Sequence, residues 1–156
     1  MSGGQTGVDR AALEVALELG MECGGWCPRG RRAEDGRIPD RFPLRETATP
    51  RYPERTRLNV RDSDATLILT RGGIRGGTAL TAREARRQGR ALLVVDLDGK
   101  PDAGRIRVWL VAGGVRVLNV AGPRESERPG TAERAAGLLR SVFRLLVLGN
   151  AERDPG

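Results

Sequence analysis

Two glycine-rich turns, each set where an apolar strand should hand over to a helix, constrain this chain more than any other feature. The first, Ser2-Gly3-Gly4-Gln5-Thr6-Gly7, opens the sequence; the second, Gly72-Gly73-Ile74-Arg75-Gly76-Gly77-Thr78, lies near its middle. Glycine lets backbone come close to a ligand, and the unpaired N–H groups at a helix start attract negative charge. Two such turns in 156 residues point to a pocket for a phosphate-bearing small molecule.

The surrounding pattern alternates between the two secondary-structure periods. Thr6 reads as the N-cap of a helix, with Asp9 reaching back in a capping box. Val8, Ala12, Val15, Ala16 and Leu19 follow at helical spacing, and Gly20 supplies the stop. A short strand is predicted over 21–26, then a long irregular stretch over 27–53, of the kind that is functional or disordered. Helices are expected over 54–61, 78–88 (with Thr81 and Glu84 as a second capping box), 102–112 and 131–146. Strands are expected over 65–70, 91–95 and 115–120, and the continuous apolar run at 91–95 reads as a strand covered on both faces.

This alternation predicts an α/β fold: a single Rossmann-like, doubly wound domain over 1–148, its mainly parallel sheet flanked by helices on both faces, with a mobile polar tail over 149–156. In such sheets ligands bind beyond the carboxyl ends of the strands. Both glycine turns, the arginine-rich stretch and Gly122-Pro123-Arg124 all emerge on that edge. A first strand should precede Ser2, where only Met1 stands, so a natural start further upstream or a lost apolar segment is expected.

Charge supports an anionic ligand. The formal charge is +7, and 26 of the 27 basic residues are arginines, Lys100 being the exception. Ten arginines fall between Arg29 and Arg61. They form either a solvated basic surface or a rim around an anion, for which arginine's planar fork is better suited than lysine. Histidine is absent, which removes Ser-His and Cys-His catalysis and histidine metal sites. Cys23 and Cys27 alone do not complete a tetrahedral zinc site, so no metal ligand is assigned and reduced, packed thiols are expected. No stretch approaches the roughly 18 apolar residues that span a bilayer, and no leader precedes Ser2, so a cytoplasmic protein is expected.

Neither turn matches a common phosphate loop. The first lacks the Gly-Lys-Ser/Thr end of a Walker loop and the Gly-x-Gly-x-x-Gly spacing of dinucleotide folds. Each is, alone, weak evidence, and is also readable as a tight strand-to-helix turn. Among the carboxylates, Asp9 is expected to cap, Asp62 and Asp64 to sit in a turn at the opposite edge, and Glu34 and Asp35 to brace arginines. Trp26 is open to two readings, stacking on a ligand ring or packing in the core.

Longer stretches carry a resemblance. Ser2-Gly3-Gly4-Gln5-Thr6-Gly7-Val8-Asp9-Arg10-Ala11-Ala12-Leu13 resembles the opening of the molybdenum cofactor carrier family. So do Gly24-Gly25-Trp26-Cys27-Pro28-Arg29-Gly30-Arg31-Arg32-Ala33-Glu34-Asp35-Gly36 and Ile38-Pro39. Arg55-Thr56, Asn59-Val60, Asp62-Ser63-Asp64, Gly76-Gly77-Thr78 and Leu118-Asn119-Val120-Ala121-Gly122-Pro123-Arg124-Glu125-Ser126 match as well. The resemblance runs from Ser2 to about residue 130. It implies a Rossmann-like fold related to the lysine-decarboxylase-like, or "lonely guy", phosphoribohydrolases, a homotetramer, and binding of the molybdenum cofactor (molybdopterin), a phosphate-bearing pterin whose dithiolene holds the metal. The hydrolase relatives resemble Pro-Gly-Gly-x-Gly-Thr-x-x-Glu with a catalytic glutamate; three residues beyond Thr78 this chain has Thr81, and Glu84 comes about one turn later.

The expectation is therefore a carrier without catalytic residues. Gly3, Gly4, Gln5, Thr6, Gly7, Gly76, Gly77 and Thr78 would offer backbone and side-chain donors to the ligand, with Arg29, Arg31, Arg32 and Arg124 supplying charge. The alternative is an enzyme acting on a nucleotide or phosphoribosyl compound through Glu34, Asp35 or Glu125. Nucleic-acid binding ranks third: the charge suits it, but 3% aromatic residues leave little for base stacking.

Overall fold

The computed structural model describes residues 1–151. Its elements run, in chain order, α1 (Val8–Glu18), β1 (Gly25–Cys27), β2 (Arg32–Ala33), β3 (Gly36–Arg37), β4 (Leu44–Glu46), α2 (Tyr52–Arg61), β5 (Ala65–Thr70), α3 (Gly76–Arg87), β6 (Ala91–Asp96), α4 (Ala103–Ala112), β7 (Leu118–Ala121) and α5 (Thr131–Ala151). The alternation yields the expected Rossmann-like α/β architecture.

Sheet order follows from burial. All six residues of β5 are buried, as a strand flanked on both edges and both faces must be. It pairs in parallel with β6 and with β7, Ala65 standing opposite both Ala91 and Leu118. Side chains alternate across this sheet. Leu67 and Leu69 face α1, α4 and α5 within one apolar cluster that includes Val8, Val15, Ile106, Leu110, Leu139 and Val142. The opposite face is covered by α3, with α2 packed beside α3 and against β1.

Strand β6 is covered only in part, α3 lying on one face and Leu93 and Val95 packing against the apolar cluster on the other, rather than fully as its apolar run suggests. It is the edge of the sheet, where Ala91, Val94 and Asp96 are exposed.

The stretch over 27–53 is ordered rather than irregular. β1 pairs in parallel with β4, β2 with β3 antiparallel, and Leu13, Cys27, Ile38 and Phe42 form a second apolar cluster beneath them. Arg31, buried and at φ 52°, donates to the carbonyls of Ile38, Pro39, Phe42 and Leu44. One guanidinium thus organises the loop.

Residues 1–2 bridge the two ladders. Val120 N donates to the Met1 carbonyl (2.9 Å) and Ser2 N to that of Gly24 (3.0 Å), which places the chain start between β7 and β1. At the other end, helix α5 continues through Ala151, so the tail expected from residue 149 starts as helix; residues 152–156 lie outside the described residues.

Candidate functional site

The carboxyl end of β7, the opening turn, α2 and the first turn of α3 enclose a cavity of about 300 Å³. It stands on the strand edge where doubly wound sheets hold ligands.

Helix α3 supplies one wall. Its N-cap, Arg75, makes no side-chain cap bond, and Gly76, Gly77 and Thr78 line the cavity. A Cβ built at Gly76 or Gly77 would meet nothing within 4 Å, so the glycines leave open space at the positive end of the helix dipole. The helix opens at Gly76, two residues before the expected start at Thr78, and the capping box expected from Thr81 and Glu84 does not form. Thr81 donates instead to the Gly77 carbonyl (3.1 Å), and Glu84 turns away to Arg87 and Gln88.

The floor is a buried ion pair. Arg55, carried by α2, reaches across Gly3 to place Nη1 2.8 Å from Asp9 Oδ2. A Cβ on Gly3 would sit 1.5 Å from that nitrogen, so only glycine there lets the guanidinium through. Asp9 is therefore not a cap. Helix α1 has Gly7 as its N-cap, at φ 79°, and no side-chain cap bond. Burial pushes the Asp9 carboxyl above its ordinary value, against the opposing pull of Arg55 and of the Gln5 and Gly122 backbone.

Gln5 lies beside this pair with its amide orientation fixed. Its Oε1 accepts from Thr6 N (3.0 Å) and Glu34 N (2.9 Å). Above the floor, the Arg124 guanidinium lies 4.9 Å from the centroid of the Tyr52 ring. Tyr52, Thr56, Asn59, Asn119 and Glu127 also line it.

Of the residues expected at the site, Gly3, Gln5, Gly76, Gly77, Thr78 and Arg124 line this cavity. Gly4 packs toward Leu44 and Ile38, and Gly7 against the Pro123 carbonyl. Thr6 donates to Glu34 and accepts from Glu125 N. Arg31 is engaged in its own loop, and neither Arg29 nor Arg32 lines the cavity. Glu34 braces no arginine: it accepts from Thr6 and Ser126, tying the β2–β3 hairpin to two other loops, and those bonds hold its carboxyl low although burial opposes them. Asp35 does pair with Arg10. Glu125 accepts from Gly130 N and Ala132 N at the start of α5. Trp26 stands elsewhere, donating Nε1 to Asp62 at 2.8 Å.

Sequence reasoning alone does not find Tyr52, Asp9, Arg55, Asn59, Asn119 and Glu127 as lining residues. Arg55, Asn59 and Asn119 fall within the matched stretches, but nothing in their spacing shows that α2 and β7 meet around the opening turn. Among the described residues, no group of three or more Cys, Asp or Glu side chains is arranged to hold a metal ion.

The model of the circularly permutated YpsA SLOG family matches residues 1–143. This chain belongs to that family. A solved structure of another protein, a "putative molybdenum carrier protein" from Syntrophus aciditrophicus SB, superimposes on this YpsA-type chain with a TM-score of 0.86. The two are 41% identical, and the match covers 91% of this chain and 92% of the other. No curated protein matches. No helix among the described residues is long and apolar enough to cross a membrane.

Proposed function

We propose that this protein is a carrier that holds an anionic, phosphate-bearing small molecule in the 300 Å³ cavity. One observation carries the reading: the uncapped first turn of α3, with Gly76 and Gly77 open to the cavity, faces a space also lined by Arg55 and Arg124. Helix-start N–H groups and guanidinium forks are what a phosphate needs. The volume lies at the small end of ligand pockets, which suits a mononucleotide-sized or pterin-sized molecule.

The molybdenum cofactor is the cargo the resemblance and the name of the solved relative favour. The residues fit its phosphate and a small ring. The metal would stay with the cofactor's own dithiolene, because neither Cys23 nor Cys27 lines the cavity. The carrier is then cytoplasmic and homo-oligomeric, the latter read by sedimentation.

A second reading, an enzyme acting on a nucleotide or phosphoribosyl compound, has one observation in its favour: Asp9 is a buried carboxylate in the cavity wall whose proton burial favours. Against it, Thr81 occupies the helical position of the relatives' glutamate.

Gentle purification, denaturation and mass spectrometry of the released molecules test the choice. A pterin phosphate supports the carrier. A nucleotide together with its hydrolysis product supports the enzyme.

A further inference from the structure

The charged side chains that line the cavity cancel, and this limits how an anion can enter it. Arg55 and Arg124 are the cations of the lining, Asp9 and Glu127 its carboxylates. The two pairs are unlike. The side chains of Arg55 and Asp9 are 14% and 7% exposed and meet at 2.8 Å; parting them would strand a buried charge, so that pair stays closed. Arg124 Nε stands 3.9 Å from Glu127 Oε1, and those side chains are 36% and 47% exposed. That separation exceeds a hydrogen bond, and an exposed pair of this kind holds weakly.

Tyr52 supplies the hold that Glu127 does not. It opens α2, and its carbonyl accepts from Thr56 Oγ1 at 3.2 Å, so the helix fixes the base of its side chain. The ring centroid lies 4.9 Å from the Arg124 guanidinium carbon and 5.7 Å from that of Arg55, both within cation–π range. Arg55 follows three residues along the same helix, where side chains are neighbours. Arg124 comes from the loop after β7, where Glu127 N and Arg128 N donate to its carbonyl (3.2 and 3.3 Å) and hold its backbone. A ring face steadies a guanidinium without consuming its N–H donors.

We infer that Arg124 is a masked anion-binding arm: the Tyr52 ring positions it at the cavity, and Glu127 is the counter-charge that a phosphate-bearing ligand displaces. This deepens the carrier reading and rests on it. Tyr52 is then a positioning residue and Glu127 a brake on affinity. A phosphate accepts two N–H bonds from one guanidinium fork, whereas Glu127 at 3.9 Å takes none, so the exchange favours the ligand. The backbone of the turn need not move, because only the two side chains part.

Calorimetric titration of the full chain with 6-hydroxymethylpterin phosphate, adenosine 5′-monophosphate and inorganic phosphate tests this. Glu127→Gln is expected to tighten the best-bound of these about threefold. Glu22→Gln, the same charge change at an exposed position outside the cavity, is expected to shift it by less than about 1.5-fold. Tyr52→Leu should weaken binding about fivefold, and Tyr52→Phe, which keeps the ring, should restore most of that loss. In an Arg124→Met background the effects of Glu127→Gln and Tyr52→Leu should largely vanish, which a merely structural role for either would not produce. Unchanged or weaker binding by Glu127→Gln, an equal gain from Glu22→Gln, or effects of the same size with and without Arg124 overturn the inference and leave the carrier reading standing. Failure of the wild-type chain to bind any of the three probes overturns the carrier reading, and the inference with it. The comparison of Glu127→Gln with Glu22→Gln decides even where the Tyr52→Leu or Arg124→Met chain folds or binds poorly.

Discussion

Of two cavities among the described residues, the larger is the less informative. The second, about 950 Å³, lies around Met1 between α1, α4, α5 and the start of β1. Its walls mix apolar side chains, Leu13, Met21, Leu110 and Phe143 among them, with scattered charges at Glu22, Arg45, Asp62 and Arg116. The site cavity is a third of that size, yet an open helix start and a buried ion pair converge on it. Volume measures how poorly elements close; directed polar groups record what a space is shaped to hold.

The sharpest way to separate the two regions is to break the ion pair. Asp9→Ala leaves Arg55 buried without a partner and is expected to cost about 3–5 kcal/mol by urea unfolding. Replacing both partners, Asp9→Leu with Arg55→Met, should cost much less, because no charge is left stranded, while abolishing anion binding. The pair also sets a pH dependence. Burial raises the Asp9 carboxyl above 3.8 in the folded state despite Arg55. Over the window between the unfolded and folded values, the native protein holds a proton the unfolded chain has released. The contribution of Asp9 to stability therefore falls as pH rises through that window. Asp9→Asn should remove that slope; an unchanged slope would reject the assignment.

Leu13→Ala is the matching test in the large cavity. Leu13 is 1% exposed and packs with Cys27, Ile38 and Phe42, so the deletion should cost about 2–5 kcal/mol. Its effect on phosphate-ester affinity, measured where the variant is folded, should be nil. A loss of affinity comparable to that of the ion-pair variants would erase the distinction between the regions.

Gly77→Ala inverts that pattern. Its backbone is not at positive φ and its Cβ would meet open space, so folding should be unharmed or gain up to about 1 kcal/mol from helix propensity. The methyl would intrude where the phosphate is held, and affinity is expected to fall about tenfold, roughly 1.4 kcal/mol. Unchanged affinity would remove α3 from the site.

How much of this is legible in the sequence depends on whether the signal is local. The six buried residues of β5 and the stop at Gly20 are written in consecutive residues, and the structure has both where the pattern puts them. Capping misleads twice. Thr6 and Asp9, and likewise Thr81 and Glu84, have the capping-box spacing, but their side chains answer to other partners: Glu34 for Thr6, Arg55 for Asp9. The long loop looks irregular because its order comes from Arg31 and four carbonyls, a pattern without periodicity. Arg55 lies 46 residues from Asp9, and only the closure of α2 over the opening turn brings them together.

Trp26 gives the smallest and most discriminating test, since the sequence leaves it between ligand and core. Its indole Nε1 donates to Asp62, which Arg61 also holds, and Arg45 lies 5.5 Å from its ring. Trp26, Arg45 and Asp62 all line the large cavity. Trp26→Phe keeps a ring and removes one hydrogen bond to a partly exposed carboxylate, so the cost should be about 1 kcal/mol or less. Ligand affinity should not change, because no part of Trp26 lines the site. If instead the substitution weakened phosphate-ester binding while leaving stability intact, the cargo would have to occupy the space around Met1, and the contrast between the two cavities would fail.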